Sequence, residues 1–217
     1  MNGLFITFEG PDGSGKTTQI QQLANTLIKQ GYDVITTREP GGTRISDLLR
    51  NILLSTEYQE MKDQTEVLLY AASRSQHVHE VIVPALQQNK IVLCDRYIDA
   101  SMAYQSVGLG IAKKTIKEIN HFASSGLQPK RTYMMDVSVK ESKNRLSQRT
   151  NKKGEIILDR IEQKAHDYHK KVREGFLQIA KENPDRVYLI NANQPIDVIS
   201  EEILEDMTKL LANRMSS

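Results

Sequence analysis

Gly10-Pro11-Asp12-Gly13-Ser14-Gly15-Lys16-Thr17 follows directly on the apolar run Leu4-Phe5-Ile6-Thr7-Phe8 and precedes the helix-like Gln19-Ile20-Gln21-Gln22-Leu23-Ala24. The pattern is G-x-x-x-x-G-K-[ST], which marks a loop that wraps phosphates. Gly10, Gly13 and Gly15 lack a Cβ, so the backbone can approach a phosphate closely in dihedrals that other residues avoid. Successive N–H groups at the start of a helix then form an anion site. The ammonium of Lys16 suits the terminal phosphates, and the hydroxyl of Thr17 suits Mg²⁺. Strand, loop and helix stand in the order this chemistry requires. The run from Gly10 to Thr18, including Pro11, Asp12, Ser14 and Thr18, is therefore the candidate site for a nucleoside triphosphate. The bland alternative is a glycine turn that binds nothing.

Strands and helices alternate along the rest of the chain. Leu4 to Glu9 reads as a first strand, and Gly15 to about Gln30 as a helix stopped at Gly31, a residue type that commonly closes helices. Asp33 to Arg38 reads as a β-branched second strand, closed by the loop signal Glu39-Pro40-Gly41-Gly42. Ile45, Leu48, Leu49, Ile52 and Leu53 recur at helical spacing. A longer helix is expected from about Gln64 toward Val83, with a break or kink at Pro84. Lys90 to Asp95 is a nearly continuous apolar run, as in a strand covered on both faces. Helical patterns follow at about Ala100 to Gln105 and Lys113 to Ser124, then a strand from Arg131 to Val137 and a helix from Lys140 to Gln148. Arg149-Thr150-Asn151-Lys152-Lys153-Gly154-Glu155 is polar and cationic, and reads as a mobile surface loop. A helix from about Ile161 to Lys181, a strand from Arg186 to Asn191 and a helix from about Ile196 to Ala212 complete the pattern. Such alternation predicts right-handed crossovers, a five-stranded parallel sheet with helices on both faces, and ligands outside its carboxyl edge.

The 217 residues suffice for one large domain with a buried core. Basic and acidic residues number 29 and 27, a formal charge of +2, so no strong field draws the chain to nucleic acid or a membrane. A lone cysteine, Cys94, excludes an internal disulfide and fits a reducing compartment. No run approaches the length of a membrane span, and the apolar amino terminus reads as a strand rather than a leader. The expectation is a cytoplasmic protein with neither a nucleic-acid nor a membrane partner.

Asp95 closes the third strand where a carboxylate bound to magnesium, directly or through water, would stand. Arg96 follows it, beside the place of a transferred phosphoryl group, where a planar guanidinium can bind phosphate with two hydrogen bonds. The alternative is a structural Asp–Arg pair. Arg38, Glu39, Arg50 and Arg74 lie after strand two and along the next two helices. The arginines could converge on an acceptor phosphate, or lie on solvated helix faces. Arg145, Arg149, Lys152, Lys153 and Arg160 form a second cationic group around the polar loop, read either as a lid over the donor or as a solvated surface. His77, His79, His166 and His169 read as surface histidines, and Cys94 as inert core.

Five stretches together resemble one family. They are Phe8 to Thr18, Thr37-Arg38-Glu39-Pro40-Gly41-Gly42, Ala71-Ala72-Ser73-Arg74, Cys94 to Gln105 and Leu158-Asp159-Arg160-Ile161-Glu162-Gln163. In this order they resemble the bacterial thymidylate kinases, and the likeness spans essentially the whole chain. The resemblance implies the α/β fold of P-loop nucleoside monophosphate kinases: one domain over residues 1–217, with a mobile lid at about 145–160. It implies ATP as phosphoryl donor, dTMP as acceptor, Mg²⁺, a place on the route to dTTP, and a homodimer.

Carried over by position, the resemblance implies that Arg74 and Gln105 hold the thymine ring and Tyr70 stacks on it. Arg38, Arg50 and Arg96 would grip the dTMP phosphate, with Glu39 close to that phosphate and its magnesium. Asp12 would approach the sugar 3′-hydroxyl, while Tyr104 crowds the 2′ position and Ser101 lines the same pocket. Gly13 stands where some relatives carry an arginine, which resembles the arrangement with the catalytic arginine in the lid. Arg149 is then the lead residue and Arg145 the alternative, while Arg160 would sit beside the adenine or anchor the lid. Lys16, Arg96 and Arg149 are the implied catalytic set, and Thr17, Asp95 and Glu39 the implied metal set.

Two further readings share the phosphate loop. A kinase of another small acceptor would lack the Tyr70, Arg74 and Gln105 arrangement. A guanine-nucleotide switch would need N-K-x-D, whereas the nearest stretch, Asn151-Lys152-Lys153-Gly154, ends in glycine. A DNA-dependent ATPase is disfavoured by the near-neutral charge.

Overall fold

The computed structural model describes residues 3–148 and 158–215. Strands β1 (Leu4–Glu9), β2 (Val34–Arg38), β3 (Ile91–Asp95), β4 (Arg131–Asp136) and β5 (Val187–Asn191) form one parallel sheet in the order β2-β3-β1-β4-β5. The expected five-stranded parallel sheet is thus the one observed. β1 sits at its centre and is buried throughout. Leu4, Ile6 and Phe8 pack on one face with Ile20, Leu23 and Leu27 of α1 (Lys16–Lys29) and Ile199, Ile203 and Met207 of α9 (Ile196–Met215). Period-two alternation sends Phe5, Thr7 and Glu9 to the opposite face. There Phe5 meets Val78, Ile82 and Leu86, and Thr7 bonds Thr132 of β4 at 2.7 Å.

That opposite face is covered by Val78 and Ile82, which continue α3 (Asp63–His77) into α4 (Val83–Gln87), by α4 itself, by the short α5 (Ile98–Ser101) and by α8 (His166–Glu182). α2 (Arg44–Leu54) packs on α3, and α3 packs on α6 (Lys113–Ser124). α7 (Val139–Ser147) follows β4 and lies against the loop after β1.

Three expected boundaries shift for physical reasons. Pro84 does not break its helix: the five residues Val78–Ile82 form a π-helical turn, and Pro84 falls in the first turn of α4. The wider turn makes room for a ring that would otherwise press on the carbonyl four residues back. A second π-helical segment, Met102–Gly108, extends α5 through Tyr104 and Gln105. α8 starts at His166 rather than near Ile161 because Asp159 Oδ1 accepts from the N–H groups of Ile161 and Glu162, at 2.9 and 2.8 Å. This local alternative competes with the helix.

Leu27 is fully buried between α1 and the sheet. Leu27→Ala is expected to cost about 2–5 kcal/mol. Urea unfolding measures this directly; an unchanged midpoint would contradict the packing described.

Candidate active site

β1 and β3 pair in register, with Phe8 opposite Asp95, so the loops that follow them meet at the carboxyl edge. Gly10 leaves β1 at φ +131°, and a Cβ there would lie 2.3 Å from the Met135 carbonyl oxygen. No other residue fits that turn. The loop then curls around Lys16, whose Nζ donates to the Gly10 and Pro11 carbonyls at 3.2 and 2.8 Å and to Ser14 Oγ at 3.3 Å. Thr17 and Thr18 are exposed in the first turn of α1. α7 braces the loop from behind: Ser142 Oγ donates to the Asp12 carbonyl at 2.7 Å. Arg145 donates to the carbonyls of Gly13 and Ala192, at 3.4 and 3.0 Å.

Thr17 Oγ1 donates to Asp95 Oδ2 at 2.8 Å. A hydroxyl and a carboxylate are hard oxygen donors that suit Mg²⁺, an ion that keeps waters and shares phosphate oxygens rather than filling an all-protein cage. Among the described residues no group of three or more His, Cys, Asp or Glu could hold a metal alone. Thr17 and Asp95 therefore fit the ion with a phosphate ligand completing its shell. The third expected metal residue, Glu39, directs its oxygens to Arg74 Nε (2.7 Å) and His77 Nδ1 (3.1 Å).

Arg96 adopts φ +70°, a left-handed conformation unusual for arginine. Its N–H donates to the Phe8 carbonyl at 2.9 Å, and its guanidinium reaches the Gly10 carbonyl (2.8 Å) and Asp12 Oδ1 (2.6 Å). Tyr104 completes the group: its hydroxyl donates to Asp12 Oδ2 at 2.9 Å, and its ring lies 5.1 Å from the Arg96 guanidinium carbon.

A cleft of about 550 Å³, counting its open mouth, begins at this cluster. Asp12, Glu39, Arg50, Tyr70, Arg74, Arg96, Ser101, Tyr104 and Gln105 all line it. Of the arginines whose position the sequence left open, Arg74 is buried. Its Nε donates to Glu39, its Nη1 to Ser101 Oγ (3.0 Å) and Asn120 Oδ1, and its Nη2 to the Tyr97 carbonyl (2.9 Å). A guanidinium has five N–H donors, and four of them are engaged by these partners. Arg50 donates to the Pro40 carbonyl at 2.9 Å and faces the cleft. Arg38 instead points outward to Asp47 at 3.0 Å and is absent from the lining. Arg160 lies away from the phosphate loop, bound to the Leu53 carbonyl (3.0 Å) and Glu66 (2.8 Å). Arg149, Lys152 and Lys153 lie outside the described residues.

The sequence reading missed several residues. His77 is no surface histidine: it is fully buried and bonds Thr37 Oγ1 at 2.6 Å as well as Glu39. Its helical spacing from Glu66, Tyr70 and Arg74 was the available signal. Asp159 also lines the cleft. Glu9, the last residue of β1, is fully buried and its Oε1 accepts from the Tyr97 N–H at 2.7 Å. Its other oxygen has no hydrogen-bond partner among the described residues.

These charges shape one another. Burial, aided by Arg96, lowers the Lys16 ammonium to about 8, with Asp95 and Asp12 opposing. Burial alone would raise Asp12, but Arg96, Lys16 and the Tyr104 hydroxyl outweigh it and hold this carboxyl well below the usual range. Burial likewise works against the Arg96 charge, and Tyr104, Asp12 and Asp95 more than restore it. Glu9 moves the other way: burial, then repulsion from Asp99, push it up to about 8. Burial raises the Cys94 thiol, in keeping with inert core.

A central parallel strand that ends in a phosphate loop beside an acceptor-sized, arginine-rich cleft defines a nucleoside monophosphate kinase-like protein of the P-loop class. The family model described as thymidylate kinase matches residues 8–203. The chain is 49% identical over 214 residues to the thymidylate kinase of Exiguobacterium sibiricum, covering 99% of this chain and 98% of that one. It is 45% identical to the thymidylate kinase of Geobacillus sp. strain WCH70, covering 92% and 93% of the two chains. The crystal structure of thymidylate kinase from Ehrlichia chaffeensis superposes with a TM-score of 0.75 at 35% identity, over 95% and 98% of the two chains. The chain belongs to the thymidylate kinase family.

Glu9 predicts a pH dependence. A glutamate released by unfolding loses its proton near pH 4.5, whereas folded Glu9 keeps it to about 8. Between these values the folded state binds the extra proton, so this group makes stability fall as pH rises through that window. In Glu9→Gln the fall should be shallower. Urea titrations of both proteins at several pH values between 5 and 8 test this; equal slopes would contradict the protonation described.

Proposed function

We propose that the protein transfers the γ-phosphoryl group of ATP to dTMP, giving ADP and dTDP on the route to dTTP. The observation that carries the reading is the continuity of the cleft with the phosphate loop through Asp12 and Arg96. Donor and acceptor sites built around one arginine allow direct transfer. Family membership supports the same chemistry.

An ionised phosphate oxygen of dTMP attacks the γ-phosphorus in line, and the bond to the β–γ bridging oxygen breaks as ADP leaves. The attacking oxygen carries no proton, so no general base is required. Lys16 and the N–H groups of Asp12 to Thr18 hold the donor phosphates, with Gly10 and Pro11 shaping the loop, and Arg96 offers its fork to the group in flight. Bound Mg²⁺, held by Thr17 and Asp95, would neutralise charge on the β- and γ-phosphates. Arg50 and Arg96 take the dTMP phosphate, with Arg38 reaching it only by leaving Asp47. Tyr70 stacks on the thymine, and Arg74 and Gln105 bond its edge. Asp12, Ser101 and Tyr104 bound the sugar. The segment at about 145–160 serves as a lid within a single domain. Arg149 is its lead catalytic arginine and Arg145, already on the loop backbone, the alternative. The Glu66 and Leu53 contacts of Arg160 support its role as lid anchor.

The enzyme acts in the cytoplasm on small molecules, without nucleic acid; the near-neutral charge and single cysteine accord with this. Among the described residues no helix is long and apolar enough to cross a membrane. We further propose a homodimer through the face formed by α2, α3 and α6. Leu48, Leu68 and Phe122, one on each of these packed helices, are 56, 60 and 86% exposed, apolar surface suited to a partner.

Lys16→Ala and Arg96→Ala should each lower turnover by about 100-fold or more while the protein stays folded; near-normal turnover in either would contradict its role. Phe122→Glu with Leu68→Glu should give a monomer by sedimentation. A wild-type protein that sediments as a monomer at micromolar concentration would overturn the dimer.

A further inference from the structure

Gln105 is 3% exposed in the cleft wall, and its Nε2 donates to Glu66 Oε1 at 3.2 Å. Glu66, on α3, is 1% exposed. Its second oxygen accepts from Arg160 Nη2 at 2.8 Å, with Lys164 Nζ at 3.7 Å. Both cations face this carboxylate, and a carboxylate oxygen offers Gln105 only an acceptor.

The two ends of a glutamine amide have nearly the same shape, so an amide commonly settles whichever way its partners dictate. Turning over the Gln105 amide would set its Oε1 against Glu66 Oε1, acceptor facing acceptor, in a buried site. That arrangement loses a hydrogen bond and leaves two oxygens unsatisfied. The amide is therefore fixed one way round on a residue that lines the cleft.

We propose that Glu66 is a specificity-determining positioning residue: by locking the Gln105 amide, it makes the cleft discriminate thymine and uracil from cytosine. The inference rests on Gln105 facing the base, as proposed above. Thymine and uracil offer an N3–H donor beside a carbonyl acceptor. Cytosine offers the reverse, a ring-nitrogen acceptor beside an amino donor. An amide free to turn pairs with either edge. One held by a carboxylate pairs with one edge and meets the other donor to donor and acceptor to acceptor, so the lock acts chiefly by rejection.

The test is calorimetric binding of dTMP, dUMP and dCMP, without ATP, to wild type, Glu66→Gln, and a double variant, Glu66→Met with Arg160→Met. An amide at residue 66 can donate as well as accept, so it permits either orientation of Gln105. The double variant removes the acceptor and exchanges a buried ion pair for apolar residues of similar volume, a swap that folded proteins often tolerate. In both, the preference for dTMP over dCMP should fall by about tenfold or more. The preference for dTMP over dUMP, which share one hydrogen-bonding edge, should stay within about twofold. General damage to the pocket lowers all three affinities together and leaves the dTMP-to-dCMP ratio intact. An intact ratio in either folded variant overturns the role of Glu66. Wild type that binds dCMP as well as dTMP overturns instead the reading of Gln105 and of the acceptor.

Discussion

The bond between Arg96 and the phosphate loop is the constraint on which the site depends. β1 and β3 are neighbours in register, so the residue after β3 can reach the loop after β1. The chain places an arginine there in a left-handed conformation, with its guanidinium across the Gly10 carbonyl and Asp12. This arrangement faces one strong cation toward both the phosphate loop and the cleft. It also joins the loop to Tyr104, whose hydroxyl holds the other Asp12 oxygen. A shift of the strand pairing by one residue would send Arg96 to the other side of the sheet and separate the two halves.

Charge buried for this purpose has to be compensated. Glu39 is held by Arg74 and His77, Glu66 by Arg160, and Asp99 by Arg186 with bonds of 2.7 and 2.9 Å. Buried ion pairs of this kind seldom add much net stability, because the desolvation of both partners offsets their attraction. Their effect here is geometric. Arg74 reaches Ser101, Asn120 and the Tyr97 carbonyl together with Glu39, so one side chain fixes α3, α5 and α6 around the cleft. Burial without a full set of partners has a different result at Glu9, which keeps a proton and so adds no second negative charge beside Asp99.

Much of this was legible in the sequence because it rests on local rules. The phosphate loop is a fixed pattern of residues, and the five strands are apolar runs bounded by turn residues. Nine of the ten residues assigned to the acceptor by resemblance line one cleft, Arg38 being the one that does not. Features that depend on tertiary surroundings were harder to read. His77 looked like a surface histidine because its partners, Thr37 and Glu39, come from another element. Glu66, Tyr70, Arg74 and His77 recur at helical spacing on α3, but a polar stripe reads as a solvated face unless the helix is known to line a cavity. Pro84 signalled a break that the π-helical turn at Val78–Ile82 absorbs. Arg160 carries no signal that distinguishes the adenine from Glu66 as its partner.

The proposed reaction requires the phosphate-loop site and the cleft to act together on one acceptor. The measurement that tests it most directly is the initial rate of ADP formation with ATP and Mg²⁺, offered dTMP, dUMP, dCMP, dGMP and shikimate in parallel. Clear preference for dTMP, lost in Arg74→Ala, is the expected result. Turnover that favours a different acceptor, or folded protein that binds ATP yet shows no acceptor-dependent turnover, would contradict it.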